Sequence, residues 1–160
     1  MSGAGGGEHR SGFTPAGADF AARAHASFER QRFMAALGCR LARVEPGEAE
    51  VEVPCRDDLT QQHGYVHAGV VATIADTACG IAALTLMPAG AAVLSVEFKL
   101  NLLAPAAGER LLARGRVLRP GRTLTVCTGE VVALEGERET LVASMLATMM
   151  AVRGRPGLAG

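Results

Sequence analysis

The feature of this sequence that most constrains its fold is a long apolar run, Val70 to Met87, with one charged residue, Asp76, near its middle. A run of this length approaches what a membrane-spanning helix needs, but a carboxylate near the centre of a span costs about 2.5 to 3.5 kcal/mol. A helix that is apolar on all sides can instead be covered by its own domain. We therefore predict a central helix that is wrapped by protein, and no membrane partner.

The segments on both sides of this run predict β-strands. Ala49, Val51 and Val53 alternate with glutamates after a Pro46-Gly47 turn, which is the two-residue period of a hairpin strand with one face open to water. The alternation is clearest from Leu94 to Leu102. Three further strand-like segments follow it, at Leu111 to Leu118, Leu124 to Leu134 and Thr140 to Val152.

A first helix is predicted before the hairpin. Phe20, Ala24 and Phe28 recur at helical spacing, Asp19 is a candidate N-cap, and Gly38 is a candidate left-handed end. Residues 1–18 contain mostly Gly, Ala and Ser without the apolar segment of a secretory signal, so we expect a disordered tail. Residues 19–153 then form one domain, and residues 154–160 form a flexible C-terminal tail.

The order of these elements predicts the fold class. One helix, two strands, the buried helix and then four strands imply an antiparallel sheet with helices on one face, an α+β arrangement. A sheet of five to six strands that curls around the long central helix would explain why that helix is apolar on every side.

Charge and cysteine usage narrow the class of function. Sixteen basic and sixteen acidic side chains give a net charge of zero, so no long-range field favours nucleic acid or an anionic membrane. The four cysteines include no CxxC pair, a spacing that suits neither a zinc knuckle nor a disulfide framework. We therefore expect a cytoplasmic protein without a metal.

Polar and small residues gather where the central helix starts, in the segment 61–69, QQHGYVHAG. The first amides of a helix have no partner within it, and they lie at the positive end of the helix dipole. We predict that the N–H groups of Ala68 and Gly69 point outward, where they can stabilise an oxyanion that develops on a substrate carbonyl.

Asp76 is the second candidate, because a carboxylate on an apolar helix needs a partner or a cavity. Eight residues separate it from Ala68, which is about 12 Å along a helix axis. One reacting carbon atom cannot contact both groups. Two antiparallel copies of the helix about a two-fold axis would bring the start of one beside Asp76 of the other. A homodimer with two composite sites is therefore predicted, unless Asp76 serves packing alone.

The pattern QxxGxxHAG at 61–69, the aspartate nine residues after its histidine, and the strand VEFKLN at 96–101 before Ala-Pro-Ala at 104–106 resemble the PaaI-like hotdog acyl-CoA thioesterases of the phenylacetate-pathway type. The similarity extends over about residues 20–152. It implies a hotdog fold and hydrolysis of an acyl-coenzyme A, with an aryl or a short to medium acyl group, to a free acid and coenzyme A. It also implies no cofactor, and a homodimer that pairs into a dimer of dimers.

The resemblance also implies roles for single residues. The Ala68 N–H and Gln61 would polarise the thioester carbonyl, His67 would shape the turn, and Asp76 of the opposing subunit would act as base or nucleophile. Coenzyme A would lie along four positions near the helix start and the following strand: Gly69, Val70, Ser95 and Val96.

The turn Arg119-Pro120-Gly121-Arg122-Thr123 is a candidate site for the phosphates of coenzyme A. Guanidinium groups and backbone amides both suit phosphate oxygens. Members of the resembled family bind coenzyme A near such a turn. An ordinary solvated hairpin is the other interpretation of these residues.

This chain departs from the family pattern at two positions. It has Ala68 where the family usually has glycine, and Gln61 where asparagine is more common. The backbone donor survives an alanine, but the added methyl narrows the approach to it, so the substrate range is left open. His63 and His67 stand four residues apart without a third ligand at useful spacing, and we therefore predict no metal site.

Two other functions stay open at this point. A hotdog dehydratase or hydratase on acyl thioesters would use a histidine and a carboxylate across the dimer, but its relatives usually carry a proline-rich loop that this chain lacks. A non-catalytic module that binds acyl-CoA would tolerate the alanine at position 68. Release of free thiol from an acyl-CoA distinguishes this module from an enzyme.

Overall fold

The computed structural model describes residues 12–155 and residue 157. Its helices are α1 (Phe20–Glu29), α2 (Arg32–Leu37) and α3 (Ala68–Leu84), and a single 3₁₀ turn spans Asp57–Leu59. Its strands are β1 (Arg40–Glu45), β2 (Glu48–Pro54), β3 (Ala92–Leu102), β4 (Arg110–Arg119), β5 (Leu124–Glu135) and β6 (Arg138–Val152).

The six strands form one antiparallel sheet in the order β1-β2-β4-β5-β6-β3. Helix α3 packs against every strand from β2 to β6, and its side chains Ile74, Ala78 and Ile81 are almost completely buried. The α+β class and the antiparallel sheet around a central helix are therefore confirmed. Among the described residues β3 pairs with β6 alone, so it lies at an edge of the sheet although it is the first strand after α3 in sequence.

The helical segment before the hairpin differs from the prediction. It consists of two helices rather than one, because the backbone turns to an extended conformation at Gln31 (φ −80°, ψ 93°). The break changes the phase of the buried positions, so that Phe28 of α1 and Met34 of α2, six residues apart, both face the core. Gly38 ends α2 in the left-handed region (φ 73°) as predicted.

Asp19 does not cap α1 with its side chain. Its carboxylate instead lies 3.4 Å from Nε of Arg23, one turn into the helix. Arg23 also donates from Nη2 to the carbonyl of Met87 at 3.0 Å, which attaches α1 to the segment that follows α3.

The glutamate face of the hairpin is covered by arginines, although the alternation predicted a face open to water. Glu48 is only 7% exposed. Arg40 pairs with Glu52 at 2.9 Å, Arg43 pairs with Glu48 at 3.3 Å, and further arginines reach this face from β4. Cross-strand pairs of opposite charge stabilise neighbouring strands, and here they cover most of the surface of the glutamate side chains.

A buried hydroxyl joins the hairpin turn to the end of α3. Thr85 is completely buried, and its Oγ1 accepts the N–H of Gly47 at 2.7 Å while it donates to the carbonyl of Ala82 at 2.6 Å. Both ends of the connection are therefore satisfied without water, as a buried polar group requires.

The predicted tails lie partly outside the described residues, which exclude 1–11, 156 and 158–160. Within the predicted N-terminal tail, Phe13 is half-buried and packs against the core. In the part of the chain that the structure describes, no helix has the length and apolarity that a membrane crossing requires.

The sheet approaches the helix closely at Gly115 of β4, and this contact generates a prediction for stability. A Cβ at this position would lie 2.5 Å from the amide nitrogen of Cys79 and would overlap the carbonyl group of Ala78. We expect Gly115→Ala to lower the free energy of unfolding by about 2 to 3 kcal/mol through overpacking. Urea denaturation followed by circular dichroism measures this change.

The matched control is Gly136→Asn. Gly136 has φ 56°, and a Cβ added there would have nothing within 4 Å, so an asparagine fits the turn. Equal stabilities of the parent and Gly115→Ala would show that α3 can move away from β4.

Candidate functional site

A short closed loop positions the start of α3. Thr60 and Val66 form an isolated antiparallel bridge, and the N–H of His67 donates to the carbonyl of Leu59 at 2.8 Å. The N–H of Val66 donates to the carbonyl of Ala106 at 2.9 Å, which ties the loop to the segment after β3. The first turn of α3 is therefore held at a fixed place beside the end of β3.

His67 is the N-cap of α3, and this corrects one predicted donor. Its Nδ1 accepts the N–H of Gly69 at 2.9 Å, so that Gly69 does not present a free amide. The carbonyl of His67 accepts the N–H of Val70 at 2.9 Å. In the described ranges the Ala68 N–H has no acceptor, and Ala68 is exposed. Of the two predicted oxyanion donors, Ala68 is thus the one available.

Gln61 borders the same cavity as this free amide. Its Oε1 accepts the N–H of His63, which leaves its Nε2 as a donor. Gln61 and Ala68 line the same cavity of about 420 Å³. The other walls of this cavity are mostly apolar and come from the loop, α3, the segment after β3 and β6: Tyr65, Val66, Val71, Leu102, Leu103, Ala104, Pro105, Ala106 and Val142.

Asp76 is half-buried, and it has a partner that the sequence did not identify as such. The hydroxyl of Ser95 on β3 donates to its Oδ1 at 2.7 Å. The sulfur of Met149 lies 3.5 Å from the same hydroxyl. One carboxylate oxygen is therefore held by the edge strand, and Oδ2 has no hydrogen-bond partner among the described residues.

A second cavity, of about 350 Å³, opens beside Asp76. It lies between α1, α3 and the start of β3, and its lining includes Ser27, Gln31, Thr77, Gly80, Ile81, Ala92, Val93, Leu94 and Ser95. The α1 residues were not predicted for the site, because no pattern within α1 indicates which long-range neighbours it will have.

The structure thus groups four of the candidate site residues into two pairs. Gln61 and Ala68 share the cavity at the helix start, whereas Asp76 and Ser95 share the cavity at the middle of α3. Ala68 of one pair and Asp76 of the other lie about 12 Å apart along the axis of α3. A single chain therefore does not bring all four groups to one reacting atom.

The remaining predicted contacts for coenzyme A lie at different depths. Gly69 and Val70 line a shallow depression together with Phe33, and the Val70 side chain is buried. Val96 is 52% exposed at a register shift of β3, where the ladder passes from Ser95 directly to Glu97. Its role stays a prediction.

The turn between β4 and β5 is basic and lies near the Asp76 end of the sheet. The carbonyl of Arg122 accepts Nη2 of Arg153 at 3.0 Å, and the carbonyl of Thr123 accepts the N–H of Ala151 at 2.8 Å. Thr125, Met149 and Ser95 face one another across three strands, about 10 Å in all. Arg153 is thus a third cation that the sequence patterns did not indicate.

The guanidinium groups of this turn are not neutralised within the chain. Arg119, Arg122 and Arg153 form no ion pair with a carboxylate of the described residues. The N–H of Gly121 contacts Oγ1 of Thr125 only at 3.5 Å. In residues 12–155 and 157, no group of three or more His, Cys, Asp or Glu side chains could hold a metal ion.

Known proteins share the region of the chain that contains this site. The family model of the thioesterase superfamily matches residues 63–140, which include the helix start and Asp76. A provisionally named esterase of Saccharolobus solfataricus is 33% identical over 101 residues, which are 63% of this chain and 71% of that protein.

Two solved structures are similar over most of the chain. A thioesterase family protein from Silicibacter pomeroyi is 50% identical with a TM-score of 0.83, over 84% of this chain and 99% of that one. The E. coli PaaI protein from the phenylacetic acid degradation operon is 25% identical with a TM-score of 0.77, over 85% of this chain and 95% of that one. The resemblance stated from the motifs is confirmed.

None of the cysteines has the environment of a nucleophile. Burial raises the pKa of the Cys39 thiol to about 11, although Arg56 opposes the shift, and burial raises the pKa of Cys127 to about 12. The pKa values of Cys55 and Cys79 are raised by burial as well. With pKa values raised in this way, the thiols are protonated near neutral pH. Because the thiolate is the reactive form, they are poor nucleophiles.

This yields a prediction for thiol chemistry. At pH 8, Ellman's reagent should label the folded protein slowly at all four cysteines, and quickly at all four after unfolding in guanidinium chloride. Absorbance of the released thionitrobenzoate measures both rates. A cysteine in the folded protein that reacts as fast as free cysteine would show that one thiol is exposed and ionised.

Proposed function

We propose that this chain, which belongs to the thioesterase superfamily, hydrolyses the thioester bond of an acyl-coenzyme A in a site that two copies of the chain complete together. The observation that carries the proposal is the state of Asp76. Its carboxylate is oriented by the Ser95 hydroxyl at 2.7 Å and borders a cavity, while the free Ala68 amide lies in a different cavity.

The candidate residues supply two functions of a hydrolysis reaction, polarisation of the thioester carbonyl and activation of water. The thioester oxygen accepts the Ala68 N–H and the Gln61 amide, and Asp76 removes a proton from the attacking water. The water oxygen bonds to the carbonyl carbon, and the resulting oxyanion is held by the same donors. The C–S bond then breaks, and the coenzyme A thiolate takes up the proton that Asp76 accepted. Direct attack by the carboxylate is the variant in which an acyl-aspartate forms first.

The two halves of the site come from different subunits in this proposal. The separation of about 12 Å between Ala68 and Asp76 excludes a common contact within one helix. An antiparallel partner helix places Asp76 of one copy beside Ala68 of the other, and two-fold symmetry then generates two equal sites.

The edge strand β3 supports pairing with a second copy. In the described part of the chain, β6 is the only strand that pairs with β3, so one side of the β3 backbone has no hydrogen-bonding partner there. The strand also exposes four large apolar side chains, Leu94 at 41%, Val96 at 52%, Phe98 at 44% and Leu102 at 55%. An unpaired edge with exposed apolar residues associates readily with another strand. Pairing at β3 would place Ser95, and with it Asp76, close to the interface.

A dimer of dimers is the second level of assembly that we propose. Three leucines on the outer part of the sheet support it, because Leu118, Leu124 and Leu146 are 56%, 48% and 50% exposed. Scattered single leucines are common on surfaces, whereas a group on one sheet favours contact with another protein.

The basic turn supplies the anchor for coenzyme A in this proposal. Arg119, Arg122 and Arg153 offer guanidinium groups without carboxylate partners in the described part of the chain, and Gly121 offers a weakly bonded backbone N–H beside them. Guanidinium groups bind phosphate through paired N–H donors. Ser95 and Val96 lie about two strands from this turn, so the pantetheine arm would pass along them toward the thioester.

We expect Asp76→Asn to lower kcat for acyl-CoA hydrolysis by about 100-fold to 10,000-fold, the range for loss of a general base. The amide keeps the shape of the carboxylate and can still accept the Ser95 hydroxyl, so the fold and the assembly should be unchanged. Release of coenzyme A, followed with a thiol reagent over aryl, short and medium acyl-CoA substrates, measures kcat. Light scattering measures the assembly.

The matched control is Asp57→Asn, which makes the same chemical change at an exposed aspartate of the 3₁₀ turn. It should keep parental kcat. Parental kcat in Asp76→Asn would assign that carboxylate to packing, and binding of acyl-CoA without turnover by the parent would favour a non-catalytic module.

A further inference from the structure

A glycine of α3 lies in the cavity beside Asp76. Gly80 follows Asp76 by four residues, so both lie on the same face of the helix, about 6 Å apart along its axis. Both line the cavity of about 350 Å³, whose other walls are α1 and the start of β3. A group bound at the Asp76 carboxylate therefore meets Gly80 one turn further along the helix.

Packing within the described chain does not require a glycine at this position. A Cβ at Gly115 would overlap Ala78, and a Cβ at Gly129 would lie 3.0 Å from the sulfur of Cys79. By contrast, a Cβ at Gly80 would have nothing within 4 Å. Glycine inside a helix is destabilising relative to alanine, and at Gly80 no crowded neighbour explains that cost.

The position of Gly80 indicates which end of the substrate, the acyl group or the coenzyme, lies in this cavity. The coenzyme arm must reach the exposed basic turn after β4, so it needs an open path. The cavity at Gly80 is instead walled by α1, α3 and β3, with Ser27 and Gln31 on the α1 side. A walled space next to the reacting carboxylate suits the shorter end of the substrate.

We infer that Gly80 is the residue that sets the largest acyl group the enzyme accepts, because its missing side chain keeps the acyl cavity open one turn beyond Asp76. This inference rests on the proposed hydrolysis of acyl-CoA. The substrate class that follows is an acyl group with bulk beyond its first carbon, such as an aryl or a medium-chain acyl group. An acetyl group would end before it reaches Gly80.

The test is a size series, Gly80→Ala and Gly80→Leu, assayed on acetyl-, butyryl-, hexanoyl-, benzoyl- and phenylacetyl-CoA. For the largest substrates that the parent hydrolyses, Gly80→Leu should lower kcat/KM by at least about tenfold, since a few carbon atoms in an apolar pocket change discrimination by that order. The smallest substrate that the parent hydrolyses should change by less than about twofold, and Gly80→Ala should fall between the two proteins.

Two further measurements accompany the series. Gly80→Ala should raise Tm, because alanine favours the helix and meets no neighbour. Ala26→Leu, on an exposed position of α1, introduces the same leucine outside the cavity and should leave the substrate profile unchanged.

Each other result has one meaning. An equal loss on small and large substrates, or an unchanged profile in Gly80→Leu, would overturn the role of Gly80 and leave the proposed function standing. Loss of the parental assembly in the folded Gly80→Leu protein would assign the glycine to subunit contact and overturn the inference too. A parent that hydrolyses none of the five substrates would overturn the proposed function, and the role of Gly80 with it.

Discussion

The hydrogen bond from the Ser95 hydroxyl to the Asp76 carboxylate is the interaction on which the proposed chemistry of this protein depends. It joins the middle of the central helix to the edge strand at 2.7 Å, so the position of the carboxylate is fixed by the strand through which we propose a second copy binds. A carboxylate on an apolar helix needs such a partner or access to a cavity, and Asp76 has both. The edge strand β3 therefore both orients the candidate base and, in our proposal, forms the dimer contact.

The sequence predicted those elements whose pattern is long and regular. The apolar run containing Asp76 forms α3 because it is too long for a single strand. The alternation before Leu102 forms β3 because its two-residue period is regular. The helix break at Gln31 was not predicted, since it follows from the phase in which Phe28 and Met34 reach the core. The covered glutamate face was not predicted either, because it depends on arginines of β4, which are distant in sequence.

The candidate site also contains residues that the sequence predicted and residues that it did not. The sequence indicated Ala68 and Asp76 through a helix start and a lone carboxylate that are visible in the chain itself, and the family resemblance added Gln61 and His67. The sequence did not show that the His67 ring accepts the N–H of Gly69, because this hydrogen bond depends on the rotamer of the His67 side chain. Nor did it show the walls that α1 contributes, or Arg153 beside the basic turn, because those neighbours exist only after the sheet closes.

The most direct measurement uses two variants whose defects lie in different halves of the site. Ala68→Pro removes the free amide but suits the first position of a helix, and His67 already has the extended conformation that precedes proline (φ −60°, ψ 138°). Each variant alone, Ala68→Pro or Asp76→Asn, should be nearly inactive. Heterodimers of the two, isolated through different affinity tags, contain one intact composite site and should recover about half the parental turnover per dimer. Heterodimers no more active than either variant alone would contradict a site shared between two chains.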